Sequence, residues 1–121
     1  MLKIYLAASW SRREEMRDVR VKLEGEGHVV TSRWLDEKEG EPKAVAARAD
    51  LDDIDASDVL LAFTENADVG YQTGGRHVEL GYALAKRIPV ILVGLRENVF
   101  HHLGHIPVAD SVKDVLRLLC R

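Results

Sequence analysis

The sequence predicts an α/β fold: one domain over residues 1–121, a parallel sheet of five strands wound on both faces by helices. Three observations predict it. Short apolar runs alternate with helix-period segments from end to end, the βαβ pattern of a parallel sheet. The strand candidates are nearly continuous in apolar residues rather than alternating, as strands covered on both faces must be. The chain has 121 residues, enough for one core, and no repeat, low-complexity stretch or linker divides it. For five such strands the common right-handed solution is the doubly wound, flavodoxin-like order 2-1-3-4-5.

The elements follow in order. Leu2 to Ala8 is the first buried strand. Ser11 and Glu14 have capping-box spacing, so a helix is expected to start at Ser11, with Met16, Val19 and Leu23 on its inner stripe. Gly25 and Gly27 end it, and His28–Thr31 is the second strand. Residues 35–42 are polar and read as an exposed loop. A second helix is expected over about 43–56, with Ala47, Leu51 and Ile54 inward. Asp58–Phe63 is the clearest interior strand, and 64–75, rich in Thr, Asn, Asp and Gly, is a loop of functional size. A third helix is expected over about 76–87, then a strand over Pro89–Val93, a loop over 94–104 and a short strand over His105–Ala109. Asp110 or Ser111 caps the last helix, whose Val112, Val115, Leu116 and Leu119 share a face.

Composition narrows the function. Charged residues make up 31% and the formal net charge is −3, so no basic footprint for a nucleic-acid polymer exists. No apolar run approaches membrane-spanning length, and no leader precedes the first strand. The single cysteine, Cys120, cannot form an internal disulfide, and the expectation is a cytoplasmic protein. No metal and no cofactor are expected: the acids Asp50, Asp52, Asp53, Asp55 and Asp58 follow one helix, mostly as a solvated face, and cannot all meet one ion.

Ligands of such sheets bind at the carboxyl ends of the strands, near the switch between the first and third. This gathers Ala8–Arg13, Thr64–Glu79 and Gly94–His102 into one place. There, Glu79 lies just inside a helix that follows Gly74 and Gly75, and an ionised Glu on an otherwise apolar helix needs a reason. Simple stabilisation of the helix start is one. Attack on a substrate is the other. Ser9, Arg12 and Arg13, at a strand-to-helix turn, are candidates to meet an anion, and Trp10 to cover a flat group. No catalytic triad is readable among His77, His101, His102 and His105, and His101 is retained as a contact candidate.

In combination these residues resemble the nucleoside 2-deoxyribosyltransferase superfamily, which includes 2'-deoxynucleoside 5'-phosphate N-hydrolases. The resemblance spans roughly residues 3–103 and has three anchors. Ile4-Tyr5-Leu6-Ala7-Ala8-Ser9-Trp10 looks like the family's first strand and turn, Asp50 falls where the family has an acid near base or sugar, and Val78-Glu79-Leu80-Gly81-Tyr82-Ala83 looks like its nucleophile motif. The resemblance implies a covalent glycosyl-Glu79 intermediate, Tyr5 orienting Glu79, Asp50 binding sugar or protonating the base, and Trp10 bordering the base. It further implies Thr73 as a phosphate-contacting hydroxyl and a homodimer in which Asn98 or His101 reaches the neighbour's pocket. Gly75 and Arg76 belong to the same ligand-facing loop, where Arg76-His77 departs from the family's small residues. Arg76 and the helix N-terminus are expected to hold the Glu79 pKa down.

The function so read is cleavage or transfer at the N-glycosidic bond of a (deoxy)nucleoside or its 5'-monophosphate, hydrolysis favoured over base exchange. The alternative is a non-catalytic nucleotide sensor or sequestering protein. A phosphoribohydrolase-like class ranks lower, since its Pro-Gly-Gly-x-Gly-Thr loop is missing. A phosphoacceptor receiver is discarded, since Ala62-Phe63-Thr64 stands where its Asp would be.

Overall fold

The structure, a computed structural model, describes residues 1–65 and 73–120. Five strands form one parallel sheet: β1 (Lys3–Ala7), β2 (Val29–Val30), β3 (Val59–Phe63), β4 (Val90–Val93) and β5 (Val108–Ala109), in the order β2-β1-β3-β4-β5. The long helices are α1 (Arg13–Gly25), α2 (Lys43–Asp55), α3 (Gly75–Ala85) and α4 (Val112–Leu119). The expected fold class and strand order are both present. Among the described residues no helix is long and apolar enough to cross a membrane.

Burial of the central strands on both faces holds the sheet. Every residue of β3 and β4, and all of β1 after Lys3, is buried. β1 pairs in register with β3 from Ile4↔Val59 to Ala7↔Ala62, and β3 with β4 from Leu60↔Val90 to Phe63↔Val93. Right-handed crossovers place α1 on one face, and α2 and α3 packed together on the other. The chain leaves β1 toward β2 and returns past it to β3, so the loops after β1 and β3 part and open a crevice.

Local structure departs from expectation in four places. The first helix starts later: Ser11 lies in a 3-10 turn (Trp10–Arg12), α1 begins at Arg13, and no side chain caps it, so the capping box is not made. The 35–42 loop is not wholly exposed, because a 3-10 turn over Arg33–Asp36 buries Trp34 and Leu35. Trp34 donates its indole N–H to the Leu6 carbonyl at 2.8 Å, which ties this turn to the end of β1. In α2 only the second half meets the core: Ile54 is buried but Ala47 is exposed. Asp53, expected on the solvated face, is buried and accepts from the Arg33 backbone N–H at 2.9 Å and the Arg33 guanidinium at 2.8 Å. The last helix fits its expected cap, Ser111 accepting from the Asp114 N–H at 3.2 Å. The 66–72 part of the expected loop lies outside the described residues.

Candidate active site

The site begins with a tyrosine that the core strand cannot avoid burying. Tyr5 sits mid-way along β1, fully buried, with its ring in the core and its hydroxyl needing a partner. That partner is Glu79: the Tyr5 hydroxyl donates a hydrogen bond to Glu79 Oε2 across the β1–α3 contact. Burial raises the phenol pKa far above its ordinary value, and the Glu79 charge adds to this, so Tyr5 remains a donor.

Glu79 itself is mostly removed from water. Burial pushes its carboxyl up to about 8, the Tyr5 hydrogen bond opposes this, and the nearby Asp50 charge adds to it. This corrects the expectation of a lowered pKa, and the geometry supplies the reason. Glu79 is the fifth residue of α3, beyond the first turn where a helix end stabilises an anion. Arg76 is not a cause of the shift, because its guanidinium faces Glu97 instead.

A cleft of about 240 Å³ opens at the carboxyl ends of β1 and β3, and Glu79 lines it. Its other walls come from Ala8–Ser11 after β1, from Trp34 and Glu37 after β2, from Asp50 on α2 and from Thr73–Arg76 at the start of α3. Trp10, half exposed, and Trp34, buried, stand with ring centroids 6.2 Å apart and form an aromatic wall. Asp50 lies one helical turn before the anchored Asp53. Burial, with the Glu37 and Asp53 charges, pushes its carboxyl up to about 6, Arg33 opposing. Two carboxylates that repel one another thus share the cleft, one a candidate acid and the other a candidate nucleophile.

The structure brings Glu79, Tyr5, Asp50, Ser9, Trp10, Thr73, Gly75 and Arg76 to this place. It takes four others elsewhere. Arg12 turns to the outer side of the 3-10 turn, binding both Glu15 oxygens at 2.9 and 2.8 Å and the Thr64 carbonyl at 3.0 Å. Arg13 lies over the Trp10 ring, 4.1 Å from its centroid, and does not line the cleft. Asn98 and His101 are on the far side of α3, where the Asn98 amide meets His77 and His101 at 3.4 Å each. His101 is 1% exposed and accepts the Glu97 N–H at 2.9 Å, so within this chain it is a buried internal partner.

Two lining residues escaped the sequence reading, Trp34 and Glu37. The signal for both is position: they follow β2 and so stand at the same carboxyl edge as the loops after β1 and β3. Arg76 is also different from expectation. It is 9% exposed and forks onto Glu97, Nη2 to Oε2 at 2.6 Å. Burial works against the Glu97 charge, but the Arg76 hydrogen bonds and charge outweigh it and hold that carboxyl below its ordinary value.

The comparisons agree with this geometry. The sequence model of the family nucleoside 2-deoxyribosyltransferase matches residues 4–108, which run from β1 to β5 and contain every wall of the cleft. The chain belongs to the nucleoside 2-deoxyribosyltransferase family. Membership makes it an enzyme of the N-glycosidase and deoxyribosyltransferase type, one that works at the bond between sugar and base of a nucleoside or nucleotide. The structure of the CMP N-glycosidase BcmB from Clostridium botulinum superposes with a TM-score of 0.65 at 22% identity, covering 98% of this chain and 99% of that one. At that identity the likeness is one of fold. A search of the curated proteins finds no significant match.

The raised Glu79 pKa carries a stability consequence. The folded-state value of about 8 lies above the ordinary 4.5, so the folded protein binds this proton more tightly than the unfolded chain. Glu79 therefore costs no stability below about pH 4.5, and the penalty grows as pH rises toward 8. Glu79→Gln is expected to unfold at the same urea concentration as the parent at pH 4.5. At pH 9 it should be more stable by roughly 5 kcal/mol. Urea titrations at the two pH values check this.

Proposed function

We propose that this enzyme hydrolyses the N-glycosidic bond of a nucleoside or nucleoside 5'-monophosphate through a covalent glycosyl-Glu79 intermediate. The observation that carries the reading is the Tyr5–Glu79 pair opening into a cleft walled by Trp10, Trp34 and Asp50. The base lies against the indoles and the sugar over Glu79. As the bond between C1' and the base nitrogen breaks, its electron pair leaves with the base, which takes a proton from Asp50. Glu79 stabilises the oxocarbenium-like sugar and bonds to C1'. Asp50, now a carboxylate, takes a proton from water, whose oxygen attacks C1' and releases Glu79. A second base in place of water gives exchange. Hydrolysis is favoured because the cleft is small and lies open to solvent water.

The Tyr5 hydroxyl has a chemical role here. Its hydrogen bond favours the ionised form of Glu79 against burial, and it holds one carboxylate oxygen so that the other can face the sugar. Replacing Glu79 by Ala should leave a folded protein that releases base from nucleosides and monophosphates at least about a thousandfold more slowly. Chromatography of free base over a substrate panel measures this. Undiminished release by the folded variant defeats the assignment.

The pH profile is the second test. Since attack requires ionised Glu79 and departure of the base requires protonated Asp50, kcat/KM is expected to be bell-shaped between about pH 6 and about pH 8, the limb near 8 belonging to Glu79. Tyr5→Phe removes a lowering influence and moves that limb to higher pH. Asp50→Asn removes a raising charge and moves it to lower pH, whatever it does to the maximal rate. Shifts of the same sign in both variants contradict the scheme.

We also propose a homodimer. Its support is apolar surface: Val78 on α3 and Val99 and Phe100 after β4 are exposed, and a hollow of about 480 Å³ opens between α3 and Phe100. Sedimentation equilibrium should give twice the chain mass, and Phe100→Asp should bring it to the monomer value.

A further inference from the structure

We infer that the cleft selects an uncharged nucleoside over the same nucleoside carrying a 5'-phosphate, with Glu37 as a specificity-determining residue. The inference rests on the reading of the site given above and goes beyond it, because that reading admits both substrates.

The charges around the cleft carry the argument. Its charged lining residues are Glu37, Asp50, Glu79 and Arg76. Among the described residues Arg76 is the one cation of the lining, and both of its terminal nitrogens are bonded to the Glu97 carboxylate, so the pair presents little net charge. What remains facing a ligand is carboxylate. The arginines nearest in sequence do not change this. Arg12 is bound to Glu15 and Thr64 and sits within 3.7 Å of Glu65; Arg13 lies over the Trp10 ring and reaches the Glu37 carbonyl at 3.4 Å, and Arg33 is bound to Asp53, both outside the lining. The undescribed segment 66–72 reads Asn-Ala-Asp-Val-Gly-Tyr-Gln, with an acid and no base, so it adds no cation wherever it lies.

Two features favour an anion: the hydroxyl-bearing residues Ser9, Ser11 and Thr73 in the lining, which bring no net charge, and the first turn of α3 at Gly75 and Arg76. A helix end is equivalent to about half a positive charge. Against it stand three carboxyl groups, and a phosphate ester at neutral pH brings nearly two further negative charges. The same repulsion reaches the chemistry. Asp50 already helps keep Glu79 from ionising, and a dianion nearby pushes in the same direction, leaving less nucleophile at neutral pH. A neutral nucleoside meets neither difficulty, and the amino group of a base such as cytosine or adenine is a donor that Glu37 or Asp50 can accept.

Kinetics on matched pairs of nucleoside and 5'-monophosphate test this, at low and at high salt. Expected is a kcat/KM at least tenfold higher for the nucleoside at low ionic strength. The ratio should shrink several-fold in about 0.5 M salt, where charges are screened within a few ångströms. It should shrink several-fold in Glu37→Gln as well. A monophosphate used equally well or better overturns the inference while leaving cleavage at Glu79 in place. A nucleoside preference that neither salt nor Glu37→Gln alters is steric and also overturns it. If no base is released from any compound, the cleavage reading fails. Calorimetry with the intact protein then decides the inference separately, tighter nucleoside binding supporting it and tighter monophosphate binding overturning it.

Discussion

The hydrogen bond between Tyr5 and Glu79 is the constraint on which the rest of the site depends. It joins β1 to α3, one of the two helices that cover one face of the sheet. A carboxyl removed from water tends to hold its proton, and this one tends to do so strongly. The phenol is the neighbour that opposes this. Because its own pKa is driven upward, it gives a hydrogen bond without giving up the proton. The pair is therefore a donor and an acceptor of fixed roles, held by two elements that the sheet packs together.

The position of α3 is in turn set from its other side. Arg76 forks onto Glu97, and the Glu97 N–H bonds to the buried His101 ring. Asn98 bridges His77 and His101. This polar network anchors the beginning of α3 to the connection after β4, and it is buried enough that each partner matters to the others. It also removes the Arg76 charge from the cleft. One ion pair thus has two effects: it fixes the helix that carries Glu79, and it balances the charge of the one cation among the described lining residues of the cleft.

The cleft's third wall comes from the turn after β2. Trp34 is pinned to the end of β1 through its indole N–H, and Asp53 ties the same turn to α2 through Arg33. Those two anchors place Glu37 and Asp50 beside one another, and their mutual repulsion contributes to the raised Asp50 pKa. Asp50 holds its proton to about pH 6 and Glu79 to about pH 8, so the form that the proposed scheme uses, Asp50 protonated and Glu79 ionised, is the minor one of the two that carry a single proton.

The amino-acid sequence by itself determined the architecture. Apolar runs such as Val59–Phe63 bury on both faces whatever surrounds them, so strand number, parallel pairing and the order 2-1-3-4-5 follow from local pattern and right-handed connection. The same rule located the carboxyl edge, and the motif around Glu79 marked the residue there. Tertiary structure decided the directions in which side chains point and the charges they meet. Arg12, Arg13 and Arg76 read alike as bases near an anion site, yet each has its own partner, in Glu15, the Trp10 ring and Glu97. His101 went to the interior, and Trp34 and Glu37 came to the cleft from a stretch that reads as polar loop. The Glu79 pKa rose rather than fell. The physical reason is common to all of these: hydrophobic periodicity is a property of neighbours in the chain, whereas desolvation and ion pairing depend on residues brought together from distant segments.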